Sequence, residues 1–154
     1  MADSNLFGNT KAMTVGQNTT PDRVTNLGPN EIFVFGSNLA GRHGAGAAKA
    51  ALRFGAKWGI GIGLKGKTYA LPTKGLSMET LSLGQISVHV SDFGVFAEKH
   101  CELTFLVTEI GCGLAGYAPE DIAPMFYACA MLPNVFLPAR FWNVILKRSA
   151  NENP

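Results

Sequence analysis

Twice along this 154-residue chain an apolar run ends on a glycine-rich loop, and each loop is followed by residues that suit a helix. The first run, Glu31 to Phe35, is β-branched and aromatic and stops at Gly36. The loop Ser37 to Gly44 comes next, and Ala47, Ala48, Ala50 and Ala51 favour a helix from Ala45 to Phe54, with Gly55 as its stop. The second run, Leu103 to Ile110, passes straight into Gly-Cys-Gly-Leu-Ala-Gly-Tyr, residues 111 to 117. Pro119, Glu120 and Asp121 then suit the first turn of a helix reaching about Ala130. Strands that are apolar throughout are buried on both faces, so the repeated order of strand, loop and helix points to an α/β layer fold.

Between and beyond these units the pattern continues. Residues 59 to 66 are too glycine-rich for a helix and lead into a strand from Lys67 to Leu71, ending at Pro72-Thr73-Lys74-Gly75. From Gln85 to Lys99, Ile86, Val90, Phe93 and Ala97 recur at helical intervals. Asn134 to Leu137 makes a last short strand. Residues 1 to 30, rich in Asn, Thr, Gly, Asp and Pro, read as a polar arm or loosely attached loops. The folded domain is expected over 31 to 148, with a C-terminal tail at 149 to 154.

Composition removes several function classes. With 47% hydrophobic and 16% charged residues the chain has the apolar content of a globule, and about 150 residues is enough for one core. A net charge of +2 without a long Lys/Arg run argues against nucleic acid or a membrane surface as partner. The three cysteines, Cys101, Cys112 and Cys129, have no CxxC spacing, so neither a metal clip nor a redox pair is expected. A cytoplasmic setting fits, as does the lack of a basic-then-apolar leader. The apolar stretch Tyr127 to Leu146 is interrupted by Pro133, Asn134, Pro138 and Arg140, which argues against membrane insertion.

A glycine loop between a strand and a helix exposes backbone N–H groups and suits phosphate. Either loop alone reads equally well as a tight turn, whereas two of them leaving neighbouring strand ends suit a diphosphate. The formal GxGxxG at Gly61 to Gly66 precedes a strand instead of following one and is a decoy; Gly44 to Lys49 lacks the GK[ST] ending of a nucleotide-hydrolysing loop.

In order along the chain, Asn38, Arg42-His-Gly-Ala-Gly-Ala-Ala-Lys-Ala-Ala-Leu-Arg-Phe-Gly55, Tyr69-Ala-Leu-Pro-Thr-Lys74 and Ile110-Gly-Cys-Gly-Leu114 resemble the ligand-binding motifs of macrodomains, especially the terminal ADP-ribose glycohydrolase type. The resemblance covers roughly residues 31 to 137. It implies a three-layer α/β/α fold with a central mixed, largely parallel sheet and ADP-ribose lying across the strand ends. By that likeness Gly44, Ala45 and Gly46 would offer backbone donors to one side of the diphosphate, and Ser37 would be a further ligand-binding residue. Gly111, Cys112, Gly113, Leu114, Ala115, Gly116 and Tyr117 would wrap the other side and the distal ribose, and Asn38 would meet ribose hydroxyls. Ala115 stands where the lysine-dependent glycohydrolases carry an assisting acid, and the adenine-reading aspartate has no evident counterpart besides Asp22.

Asn38, His43 and Lys74 are the candidate catalytic residues. Lys74 would act as a desolvated amine nucleophile or contact ribose and phosphate, and His43 would act as general acid or base or be an exposed loop residue. Cys112 reads as a small packed thiol and Tyr117 as a lid or core residue. The function expected is hydrolysis of an ADP-ribose derivative, either ADP-ribose 1″-phosphate or an ADP-ribosyl group on a macromolecule, with no cofactor and no metal. The alternatives are a non-catalytic module that binds or sequesters ADP-ribose or an NAD derivative, and a basic face of Lys49, Arg53, Lys57, Lys65 and Lys67 for nucleic acid.

Overall fold

In the computed structural model, which describes residues 18–152, the run beginning at Glu31 becomes the central strand β1 (Glu31–Asn38). It is followed by α1 (Gly46–Ala51), β2 (Gly63–Lys65), β3 (Thr68–Lys74), α2 (Leu83–Lys99) and β4 (Thr104–Val107). The chain continues through α3 (Pro119–Ile122), α4 (Tyr127–Ala130), β5 (Val135–Phe136) and α5 (Ala139–Glu152). The sheet order is β2-β3-β1-β4-β5, with β3, β1, β4 and β5 parallel and the short β2 antiparallel at the edge.

Alternation of side chains along β1 divides the interior in two. Ile32 and Val34 join Tyr69, Leu71, Phe105 and Val107 in the larger core, which α2, α3, α4 and α5 cover with Ile86, Phe93, Ile122, Phe126 and Phe141. Phe33 and Phe35 point the other way, against Ala48 and Ala51 of α1 and Ala56. The result is a three-layer α/β/α arrangement. Phe93 and Phe105 are fully buried with their rings edge to face at 5.4 Å, and burial of each such side chain contributes roughly 1.5–3 kcal/mol.

β1, β3, β4 and α2 lie where the sequence predicts them but with shifted ends, and α5 is an element the sequence reading does not contain. Both β1 and β3 run three residues past the expected ends, because Ser37 pairs with Pro72 and Asn38 with Lys74, the register shifting at Thr73. β4 ends at Val107, three residues early. α2 begins at Leu83, capped by a reciprocal pair: Gln85 N–H donates to Ser82 Oγ and Ser82 N–H to Gln85 Oε1. The helix expected from Pro119 to Ala130 is broken, since Pro124 has no N–H to donate and Ala123–Phe126 tighten into a 3-10 turn.

Two expectations need correction at the termini. The tail expected from residue 149 is still helix, because α5 extends to Glu152 and buries Phe141, Trp142 and Ile145 along one stripe. The part of the arm within the described residues is attached: Thr20 N–H donates to Leu137 O, Leu137 N–H and Trp142 Nε1–H both donate to Asn18 O, and Val24 and Leu27 pack under α1. Residues 1–17 of that arm lie outside the described residues. Among the described residues no helix is long and apolar enough to cross a membrane.

Candidate functional site

Leaving β1 the chain turns by way of α1 towards β3, on one side of the sheet order; leaving β4 it turns towards β5, on the other. The carboxyl ends of β1 and β4 are adjacent and parallel, so the two departing loops diverge and leave a crevice, the usual ligand position in an open α/β sheet. A cavity of about 660 Å³ opens there, within the usual range of ligand sites. Ser37, Asn38, Lys74, Gly44, Ala45, Gly46, Gly111, Cys112, Gly113, Leu114 and Ala115 all line it.

The first loop is fixed from below. Asn38 closes its start with both ends of its amide, Nδ2–H donating to Arg42 O at 2.7 Å and Oδ1 accepting from Arg42 N–H at 2.8 Å. Ser37 Oγ–H donates to Gly61 O at 2.5 Å. These two side chains therefore hold the loop, and their engagement corrects the expectation that Asn38 is free for ribose hydroxyls and Ser37 for phosphate. The decoy glycines have a structural purpose: Gly61 backs so closely on the Asn38 carbonyl that no Cβ fits.

His43 is also part of this support and not of the cavity. It is fully buried, packs edge-on against Phe35, and shares Nε2–H between Lys57 O (2.8 Å) and Ile60 O (3.2 Å). Neither the general acid or base nor the exposed loop residue matches that position; the imidazole ties the 57–60 segment beneath the first loop.

The second loop needs glycine for two reasons at Gly111: its φ is +77°, and a Cβ would meet Ile122 Cδ1 at 3.0 Å. Tyr117 O–H donates to Leu81 O at 2.7 Å and Tyr117 N–H to Gly111 O, so Tyr117 and Gly116 close the loop away from the cavity. The loops meet across the crevice, for a Cβ on Gly46 would lie 3.6 Å from Leu114 Cδ1.

Residues of both loops whose backbone donors are unpaired border this space. The N–H groups of Gly44, Ala45 and Gly46 on one loop and of Gly111, Gly113 and Leu114 on the other find no acceptor among the described residues. All six residues line the one cavity, an arrangement that favours an anion with several oxygens. The helices expected to add a dipole are short, six residues in α1 and four in α3, so the loops' own N–H groups carry this effect.

Trp58, Thr73, Met78 and Thr108 also line the cavity and were not singled out from sequence. Trp58 is 60% exposed and lies over Gly44. An aromatic residue between Lys57 and Gly59, outside any apolar strand, was the available signal. Met78 adopts φ +66°, which no sequence pattern announces.

Burial pushes the Cys112 thiol up to about 11, with the Glu109 carboxylate adding to the shift, so it is a packed thiol and not an activated one. Glu109 lies two residues beyond the end of β4. It accepts two bonds from Arg140, from Nε at 2.9 Å and Nη2 at 2.6 Å, and this pairing holds its carboxyl below the usual value. A depressed folded-state value means that the pair's contribution is present above the ordinary carboxylate range and is lost as pH falls through the folded value. Arg140→Gln is therefore expected to raise the Glu109 titration midpoint towards that of an unpaired glutamate, read by carboxyl NMR. Because Glu109 and Arg140 are both well exposed, the accompanying change in melting temperature is expected to be small.

A second cavity of about 880 Å³ adjoins the first and shares Gly46, Thr108 and Glu109 with it. Asp22 lines this second space. Among the described residues no group of three His, Cys, Asp or Glu side chains converges as a metal site would require. Comparison with protein-family models, with curated proteins and with solved structures finds no match.

Proposed function

We propose that this chain is a macrodomain-type protein that binds ADP-ribose or a derivative, with the diphosphate between the two glycine loops. The observation that carries the reading is that residues of both loops whose N–H groups find no acceptor among the described residues line one cavity at the β1/β4 switch point. A diphosphate offers oxygens on two sides, which suits donors on two facing walls. The nucleoside would extend into the adjoining cavity, where Asp22, which lines it, would accept a hydrogen bond from an exocyclic amine. The distal ribose would face Lys74, Thr73 and Trp58.

Turnover at the distal ribose is the second part of the proposal. With His43 buried, the ionisable side chains on this cavity are those of Arg42, Lys74, Glu109 and Cys112. Glu109 is engaged by Arg140 and Cys112 is protonated, so the hydrolytic step rests on Lys74 and on electrostatic stabilisation by the loops. Ala115 at the position of an assisting acid favours the alternative of binding without turnover.

ADP-ribose at about a hundred times its dissociation constant adds roughly 2.7 kcal/mol, which for a chain of this size is a rise in melting temperature of about 5–10 °C. No rise at millimolar ligand sinks the reading. Incubation with ADP-ribose 1″-phosphate then separates its two parts. Phosphate release that Lys74→Ala removes, with binding retained, marks a hydrolase, and binding without release marks a sequestering module.

A further inference from the structure

The adjoining cavity carries more positive charge than a neutral nucleoside needs. Arg23, Lys49, Arg53 and Arg140 line it, against Asp22 and Glu109. Arg140 is neutralised by Glu109, which leaves three cations facing one carboxylate. Among the described residues neither Arg23 nor Lys49 has an ion-pair partner. Lys49 in α1 and Arg53 in the 3-10 turn Leu52–Phe54 that continues it both line this cavity. Arg53 is held in place, its Nη2 donating to Val24 O at 3.2 Å and its guanidinium carbon lying 5.0 Å from the Phe54 ring centre. Arg23 enters the same cavity from the attached arm, on a separate segment of chain.

An adenosine group brings no charge, and the diphosphate is placed at the glycine loops in the neighbouring space. We propose that the preferred ligand carries an additional phosphate ester on the adenosine side, bound by Arg23, Lys49 and Arg53. Such a group offsets the excess of three cations over one carboxylate and offers the geometry that a fixed guanidinium recognises. This inference rests on the ADP-ribose reading for its placement of the nucleoside. Two sources supply the chemistry: a terminal phosphate monoester on the adenosine ribose, or the next diphosphate of an ADP-ribose chain extended from that ribose.

The test is calorimetric titration of the full chain at physiological salt with ADP-ribose, 2′-phospho-ADP-ribose and the ADP-ribose dimer. The phosphate-bearing ligand is expected to bind at least tenfold tighter than ADP-ribose. A gain with the 2′-phosphate identifies the monoester as source, and a gain with the dimer alone identifies the extended chain. The double variant R23Q/K49Q is expected to remove the gain, so that within the variant the phosphate-bearing ligand binds no tighter than ADP-ribose. Lys99→Gln, which alters net charge at the far end of α2, is expected to keep the gain. Equal affinity for all three ligands overturns the inference while the ADP-ribose reading stands, and so does a gain that survives R23Q/K49Q. Absence of binding by all three overturns both.

Discussion

Gly113→Leu is expected to lower ADP-ribose affinity at least a hundredfold, about 2.7 kcal/mol, without changing the melting temperature of the free protein by more than about 2 °C. The contrast follows from two properties of one residue. Gly113 lines the cavity between the loops, and a Cβ built on it meets nothing within 4 Å. Its φ lies outside the left-handed region, so a side chain imposes no backbone strain. A leucine there enters the space assigned to the diphosphate and brings an apolar group against the loops' free N–H donors. Calorimetric titration beside a thermal melt separates the two effects. Unchanged affinity would mean that the ligand does not pass Gly113, and a large fall in stability would mean that the open space has been misjudged.

Gly61→Ala is expected to have the opposite signature, a loss of about 3 kcal/mol or more in stability and a fall of roughly 10 °C in melting temperature. The added methyl overlaps the Asn38 carbonyl, which is backbone and has no rotamer by which to escape. Displacing it strains the end of β1 and the Ser37–Gly61 hydrogen bond together. Gly59→Ala is the control: φ is +90° but nothing lies within 4 Å, so roughly 1–2 kcal/mol for the backbone conformation is the whole expected cost. If the two variants melt alike, close packing at Gly61 is not what supports the first loop.

How far the sequence could be read depended on how local the cause was. β1, β4 and α2 were legible because their signals are contained within them, an unbroken apolar run in the strands and Ile86, Val90, Phe93 and Ala97 at helical spacing in α2. The helix α5 was not predicted, its residues having been weighed only against membrane insertion; Pro138 accepts its first bonds, from Phe141 and Trp142 N–H. The overrun of β1 and β3 by Ser37, Asn38, Thr73 and Lys74 is a tertiary effect, since two strands extend each other's ladder whatever their polarity.

The same division runs through the site. The residues that contribute backbone, Gly44 to Gly46 and Gly111 to Leu114, were found because glycine spacing is itself the backbone signal. Those that contribute side chains were assigned less well. The role of His43 depends on carbonyls of Lys57 and Ile60 that fold beneath it, fourteen and seventeen residues away. Asn38, chosen for its amide, spends that amide on Arg42. Tyr117 is drawn off by a carbonyl at Leu81. In each case the fold brings a backbone partner to the polar group from elsewhere in the chain, although His43 Nδ1 stays buried without a partner among the described residues.

The central claim, that two facing glycine loops grip the diphosphate of ADP-ribose through their backbone, is tested most directly by amide NMR of the labelled chain titrated with ADP-ribose. The largest shifts are expected at Gly44, Ala45, Gly46, Gly111, Gly113 and Leu114, on both loops and at the same ligand concentration. Shifts confined to one loop, or absent from both at millimolar ADP-ribose, would contradict it.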